Sequence, residues 1–139
     1  MSNLSNFYQL KGFNMNDIKV RLSTLWIFVL FNMIFADLVG FMNPGDLEAV
    51  IKGEVGVEIT QELLLIFSIL LEIPIAMVVV SRLLERRFNR WANILASVIT
   101  IVYVIGGGSN YLSYYFFATI EVLAMLLIIY FAWNWPKET

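Results

Sequence analysis

Three carboxylic acids, Asp37, Glu72 and Glu121, stand in stretches that are otherwise almost wholly apolar, and one of them shares the run LLEIPIAMVVV with Pro74. The chain contains no His and no Cys. That excludes thiol nucleophiles, disulfides, Cys/His zinc sites and His-ligated haem, so acid–base chemistry must come from Asp, Glu, Tyr, Lys or Arg. An ionised carboxylate does not sit unpaired in an apolar medium. It holds its proton, pairs with a cation, or accepts hydrogen bonds from neutral donors. Pro74 cannot donate to the carbonyl of Leu70, and a freed carbonyl one turn from Glu72 would make a corner for a small cation or a hydroxyl group. The expected chemistry is therefore proton or ligand binding at Glu72, Asp37 and Glu121, with Asn32, Ser68, Thr100, Tyr103 and Tyr114 as neutral partners. No catalytic residue, metal site or cofactor is called for.

The elements that carry these groups follow from composition. The 139 residues are 60% hydrophobic and 14% charged, with a mean hydropathy of +0.77, which is the balance of a membrane protein. Four mostly apolar stretches, about 22–42, 60–84, 91–107 and 112–135, are each long enough to cross a hydrocarbon core of roughly 30 Å. The expected fold is all-α: a polytopic membrane protein with four transmembrane helices in an antiparallel bundle over residues 18–139, preceded by a polar tail, 1–17. The first stretch lacks a small-residue cleavage pattern and is read as retained, and Met15 is an alternative start. A net charge of −2 and a pI near 5.0 supply no phosphate-neutralising surface, so nucleic acid is not expected as a partner.

Orientation follows from Lys and Arg near the span ends. Lys11, Lys19 and Arg21 precede the first span; Arg82, Arg86, Arg87 and Arg90 join the second to the third; Lys137 follows the fourth. The opposite side has Lys52 among Asp46, Glu48, Glu54 and Glu58. Both termini are therefore expected to be cytoplasmic, in an inner (plasma) membrane. The acidic link opens on the turn residues Asn43, Pro44 and Gly45, predicts a short surface helix stopped by Gly53, and ends at Thr60 as N-cap of the second span. It is read as a solvated loop, with a lid over a binding site as the alternative. The run GGGSN lacks the Gly-Lys-Ser/Thr continuation of a phosphate loop and reads as a tight turn.

At 100° per residue, Gln61, Ser68, Glu72 and Ala76 align on the second span. Asn93, Ala96, Ser97, Thr100, Tyr103 and Gly107 align on the third. Tyr114, Ala118, Glu121, Met125 and Ala132 align on the fourth, while Asn32, Ala36, Asp37 and Gly40 gather on one side of the first. Polar and small faces are expected to meet in the bundle interior, away from lipid. Trp26, Trp91, Trp133, Trp135, Tyr111 and Tyr115 are read as interfacial anchors.

The segments KVRLSTLWIFVLFNMIFADLVGFMNPG and LLEIPIAMVVVSRLLERRFNRWAN resemble a family of small bacterial and archaeal four-helix membrane proteins of unknown function. Leu22, Ser23, Trp26, Ala36, Asp37, Pro44, Glu72, Pro74 and Arg82 carry the likeness, which extends over about residues 18–135. The layout is also loosely similar to the DoxX-like four-helix proteins. Small multidrug transporters share the size and a membrane carboxylate, but theirs lies in the first helix, whereas this chain has Asp37 toward the outer end of its first span and its central Glu72 in the second. The leading expectation is a bundle that binds a small cationic or neutral ligand, coupled to proton movement. The alternative is a noncatalytic subunit or scaffold whose acids are packing or partner contacts, including contacts within a homo-oligomer. An intramembrane enzyme acting on a lipid comes last, since no paired acid–base motif supports it.

Overall fold

The computed structural model describes the backbone of residues 2–136 and the side chains of residues 17–136. Lys11, Met15 and Lys137, which entered the reading of topology and start site, lie outside the residues whose side chains are described. Five helices make up the fold: α1 (Ser2–Phe41), α2 (Asp46–Lys52), α3 (Gln61–Leu83), α4 (Arg86–Gly106) and α5 (Leu112–Trp133). No strand occurs among the described residues. Four helical segments are long and apolar enough to cross a membrane: Asp17–Phe41 of α1, and α3, α4 and α5.

α1 packs against α3 and α5, and α4 packs against the same two helices, so the four long helices form an up-down-up-down ring with antiparallel neighbours. The core runs along the axis of that ring through Leu22, Trp26, Val29 and Met33 of α1, Met77 of α3, Ala96 and Val104 of α4, and Ala124, Met125 and Ile128 of α5. One end of the bundle carries the arginines of the α3–α4 turn; the other, called here the loop end, carries α2 and the α4–α5 turn.

Local chemistry explains the joints. Gly45 and Gly53, with φ of 92° and 73°, bracket α2 in the left-handed region that a side chain disfavours. Asp46 and Glu48 in the first turn of α2 and Lys52 in its last complement the helix dipole. The Thr60 hydroxyl accepts from the Leu63 backbone N–H at 3.2 Å, capping α3 as its sequence predicts. Thr60→Ala is expected to lower stability by about 1 kcal/mol. The loss should be confined to faster hydrogen exchange in the first turn of α3, and unchanged exchange there would remove the cap's role.

α4 begins five residues before the apolar stretch at 91–107. The polar run RRFNR depresses hydropathy without opposing helix formation. Asn89, on this added turn, is fully buried. Its side-chain amide donates to the carbonyls of Ser81 at 2.7 Å and Leu84 at 3.2 Å, satisfying acceptors that the end of α3 leaves unpaired.

Trp26 and Trp135 depart from the expectation of interfacial anchoring. Trp26 is fully buried and donates its indole N–H to Asn93 Oδ1 at 2.7 Å, across the bundle from α1 to α4. Trp135 is also buried, and its carbonyl accepts from Arg86 at 2.6 Å. For Trp26, a large apolar body and one polar tip suit a core containing a hydrogen-bond acceptor as well as they suit a lipid interface, whereas the Trp135 indole N–H has no such partner among the described residues. Trp91, Trp133, Tyr111 and Tyr115 are exposed on the bundle surface.

Candidate functional site

Four of the residues singled out by their chemistry converge at the loop end. Asp37 of α1, Tyr103 of α4, and Tyr114 and Glu121 of α5 line a small cavity of about 80 Å³ together with Met33, Ala36, Leu71, Val104 and Gly107. The spacing explains the convergence. Met33, Ala36 and Asp37 recur at three and four residues on α1, Tyr103 of α4 and its C-cap Gly107 are four apart, and Tyr114 and Glu121 lie seven apart on α5. Ala36 and Gly107 leave volume where larger side chains would fill the gap.

The cavity adjoins a vestibule of about 710 Å³ at the loop end. The two share Ala36, Asp37, Gly107 and Tyr114. α2 walls the vestibule through Asp46, Ala49 and Val50, and α3 contributes Phe67. Asp37 is exposed at the junction. Glu121 lies in the inner cavity alone and is 3% exposed. Its Oε1 has no hydrogen-bond partner among the described residues. A buried acceptor left without a donor is uncommon in a folded protein and calls for an explanation. No lysine or arginine lies in the interior of any of the four spans to provide one.

The two tyrosines are held differently. The Tyr114 hydroxyl donates to the Val104 carbonyl and so ties α5 to α4. The Tyr103 ring meets Phe67 edge to face, with centroids 6.3 Å apart, at the junction of α4 and α3. The site thus combines a buried acid, a second acid at its mouth, and aromatic faces between them. Such a lining favours a small positively charged group over an anion, because carboxylates and ring faces both attract cations.

The remaining candidates lie elsewhere. Thr100 is buried but donates to the Ala96 carbonyl of its own helix at 2.8 Å. Asn32, half-buried, donates to Phe28 at 3.0 Å within α1, and Ser68 to Leu64 at 2.8 Å within α3. Neither residue lines the two cavities.

Glu72 corrects the expected interior face of α3. It is exposed, as are Gln61, Ser68 and Ala76, while Pro74 is buried against the bundle. Two residues advance a helix by about 200°, so Glu72 and Pro74 point to nearly opposite sides. The carbonyl of Leu70 turns with the Pro74 side, and the expected corner between that carbonyl and the Glu72 carboxylate does not form. The sequence reading also omitted Phe67 from the site. Its signal was an aromatic on a lipid-like stretch, which hydropathy does not distinguish from an ordinary lipid-facing residue.

At the mouth, Tyr111 donates to Asp46 Oδ1 at 2.9 Å, joining the start of α5 to the start of α2. That hydrogen bond, and then the negative charge of Asp46, raise the Tyr111 phenol above its usual value of 10.0. A raised folded-state value means that the link is intact below the ordinary phenol range and is lost as pH rises through the higher folded one. A nitroxide at Ile51→Cys is expected to gain mobility in that alkaline window, and Tyr111→Phe should give the same mobility already at neutral pH. Identical spectra in all cases would show that α2 is held by other contacts.

No curated protein and no solved structure matches the chain. A family model does, described as a family of unknown function (DUF6326) and covering residues 10–139, and the protein, an all-helical chain with four candidate membrane spans, belongs to that family.

Proposed function

We propose that the protein binds a small organic cation in the loop-end cavity and exchanges it for a proton on Glu121. The single observation that carries this reading is Glu121 itself: a buried carboxylate with an unpartnered oxygen, at the bottom of a funnel that opens through Asp37 and two tyrosines. A cation of ammonium or guanidinium type satisfies that oxygen directly and can rest an alkyl or aromatic body in the vestibule. Bound and unbound states then differ by one proton: with the cation present the carboxylate is ionised and paired, and without it the group is neutral. Tyr103 and Phe67 supply ring faces to the same ligand.

Arginine on the opposite end argues for both termini in the cytoplasm, which would place the vestibule on the outer side of an inner (plasma) membrane. Proton-for-cation exchange across that membrane would be transport; exchange on one side only would be sensing or sequestration.

The test is proton release on ligand addition. The purified protein in lipid nanodiscs, in weakly buffered solution with a pH indicator, receives a series of methylammonium, guanidinium and benzylammonium salts. Saturable release of up to one proton per chain supports the reading, with benzylammonium strongest because it reaches the aromatic wall. Absence of saturable release, or equal release by sodium chloride, would overturn it.

A further inference from the structure

α3 differs from the other spans. Only 11% of its apolar window is buried in the bundle, against 28% for α1, 33% for α4 and 28% for α5. Its buried residues, Pro74, Met77 and Ser81, lie on one side. On the opposite side, Leu65, Ser68, Glu72, Ile75 and Val79 recur at alternating spacings of three and four, and all five are exposed. By helical geometry this stripe points roughly 180° from the packed face. The spacing is that of a heptad seam with a polar residue at one of its inner positions.

Glu72 is the central residue of Gln61–Leu83, eleven residues from either end. At about 1.5 Å per residue it therefore stands near the middle of the hydrocarbon. An acid facing lipid at that depth is costly even when neutral, because its O–H and C=O have no partners. Among the described residues nothing partners it, since it is exposed on the side of α3 away from the other helices and makes no side-chain hydrogen bond.

We infer that this stripe is the interface of a homodimer, in which α3 of one copy packs in parallel against α3 of a second and the two Glu72 carboxyls hydrogen-bond each other. The occupant follows from the chemistry of the seam. A neutral carboxyl is one donor and one acceptor, so its simplest complete partner is another carboxyl. Two copies in one membrane with the same topology bring identical helices together in parallel about a two-fold axis normal to the membrane. Residue 72 then faces residue 72, and Ser68 and Ile75 sit beside the axis one turn away. A polar residue at one inner position of such a seam sets register and fixes the number of strands, as a buried amide does in parallel coiled coils. The pairing leaves the loop-end vestibule of each copy within its own bundle.

Because the chain has no native cysteine, single-cysteine variants give disulfides without background. Ser68→Cys and Ile75→Cys are made on the seam, Ile66→Cys on another exposed side of α3, and Val102→Cys on exposed α4. Each is purified, reconstituted at high lipid-to-protein ratio and oxidised with copper phenanthroline. Disulfide-linked dimers are expected at least fivefold more abundant at the seam positions than at the controls. Adding Glu72→Leu to Ser68→Cys should reduce them to the control level, whereas Glu72→Gln, which keeps a donor and an acceptor, should retain them. Equal cross-linking at all four sites, a monomeric species with none, or cross-linking unaffected by Glu72→Leu would overturn the inference. Circular dichroism of the Glu72→Leu variant separates loss of pairing from loss of fold. A seam cysteine that cross-links in native membranes only to a different polypeptide would likewise overturn it.

Discussion

Glu121→Gln is expected to abolish cation-linked proton release and to weaken cation binding by at least roughly threefold to tenfold. The magnitude follows from the difference between a charge-assisted contact, worth about 1.5–3 kcal/mol, and an amide contact of about half that or less. Every 1.4 kcal/mol is a factor of ten in affinity. The fold should survive, since Gln has nearly the same shape and the Oε1 of Glu121 makes no hydrogen bond to be lost. Stability should remain level or rise slightly, because an uncompensated acid is removed from the interior. Asp37→Asn is the informative companion: Asp37 is exposed at the mouth, where solvent and salt screen it, so its loss should reduce affinity by only a few fold and leave proton release intact. Glu72→Gln should leave both readouts unchanged, because its carboxyl faces away from the cavity. The measurement is the nanodisc proton-release titration with benzylammonium, run in parallel on the three variants. If Glu121→Gln releases protons as the parent does, the exchanging group is another one and the proposed function falls.

The sequence was most legible where membrane physics leaves few options. Four apolar stretches must be helices because an unpaired backbone is intolerable in hydrocarbon, and short links make sequential helices antiparallel. Thr60 and Gly53 mark their joints because a cap and a left-handed glycine depend only on local chain geometry. The stripe Asn93, Ser97 and Thr100 also lies inside, as its periodicity implies, since all three are buried. The α3 stripe through Glu72 has an equally clear period and faces outward. Periodicity identifies a distinct face of a helix, but the same polar face can meet the chain's own bundle or a second copy. In water, exposure of the apolar side would decide between these; in a bilayer both sides are compatible with their surroundings. Glu121 and Tyr114 share one face of α5 at a spacing of seven, and that face turns into the bundle, where both line the same cavity. Asn89 was missed because it falls in RRFNR, outside the apolar window, although it continues the stripe of Asn93 at a spacing of four. Trp26 was misassigned because amphipathic aromatics serve both interfaces and cores.

Asn93→Leu is expected to produce the largest loss of stability of any single substitution discussed, about 2–4 kcal/mol. Asn93 Oδ1 accepts from Trp26 Nε1 at 2.7 Å and from Ser81 Oγ at 3.1 Å, while Nδ2 donates to the Asn89 carbonyl at 2.9 Å and to Asn89 Oδ1 at 2.6 Å. One side chain therefore connects α1, α3 and α4, and Asn89 extends the connection to the end of α3. Leucine keeps the branching and heavy-atom count of asparagine, though its methyl groups are bulkier, and it strands an indole N–H, a hydroxyl and an amide oxygen in a fully buried site. Interhelical hydrogen bonds in membranes average only about 0.6 kcal/mol each, because the unfolded chain in lipid finds alternative partners. Stranded buried groups add about 1–3 kcal/mol, which raises the total above the sum of the pairs. Asn32→Leu provides the contrast: it removes one bond within α1 at a half-buried position and should change stability by less than about 0.5 kcal/mol. Steric-trapping unfolding in bicelles measures both, and a double-mutant cycle with Trp26→Phe should show a coupling on the order of 1 kcal/mol. The consequence for function is a division of the bundle. The network fastens the arginine end, whereas at the loop end Leu64 to Ile69 of α3 are all exposed and the vestibule separates the helices. If Asn93→Leu lowers stability while benzylammonium binding at permissive temperature is preserved, the two ends are independent; if binding is lost as well, the fastened end sets the width of the open one.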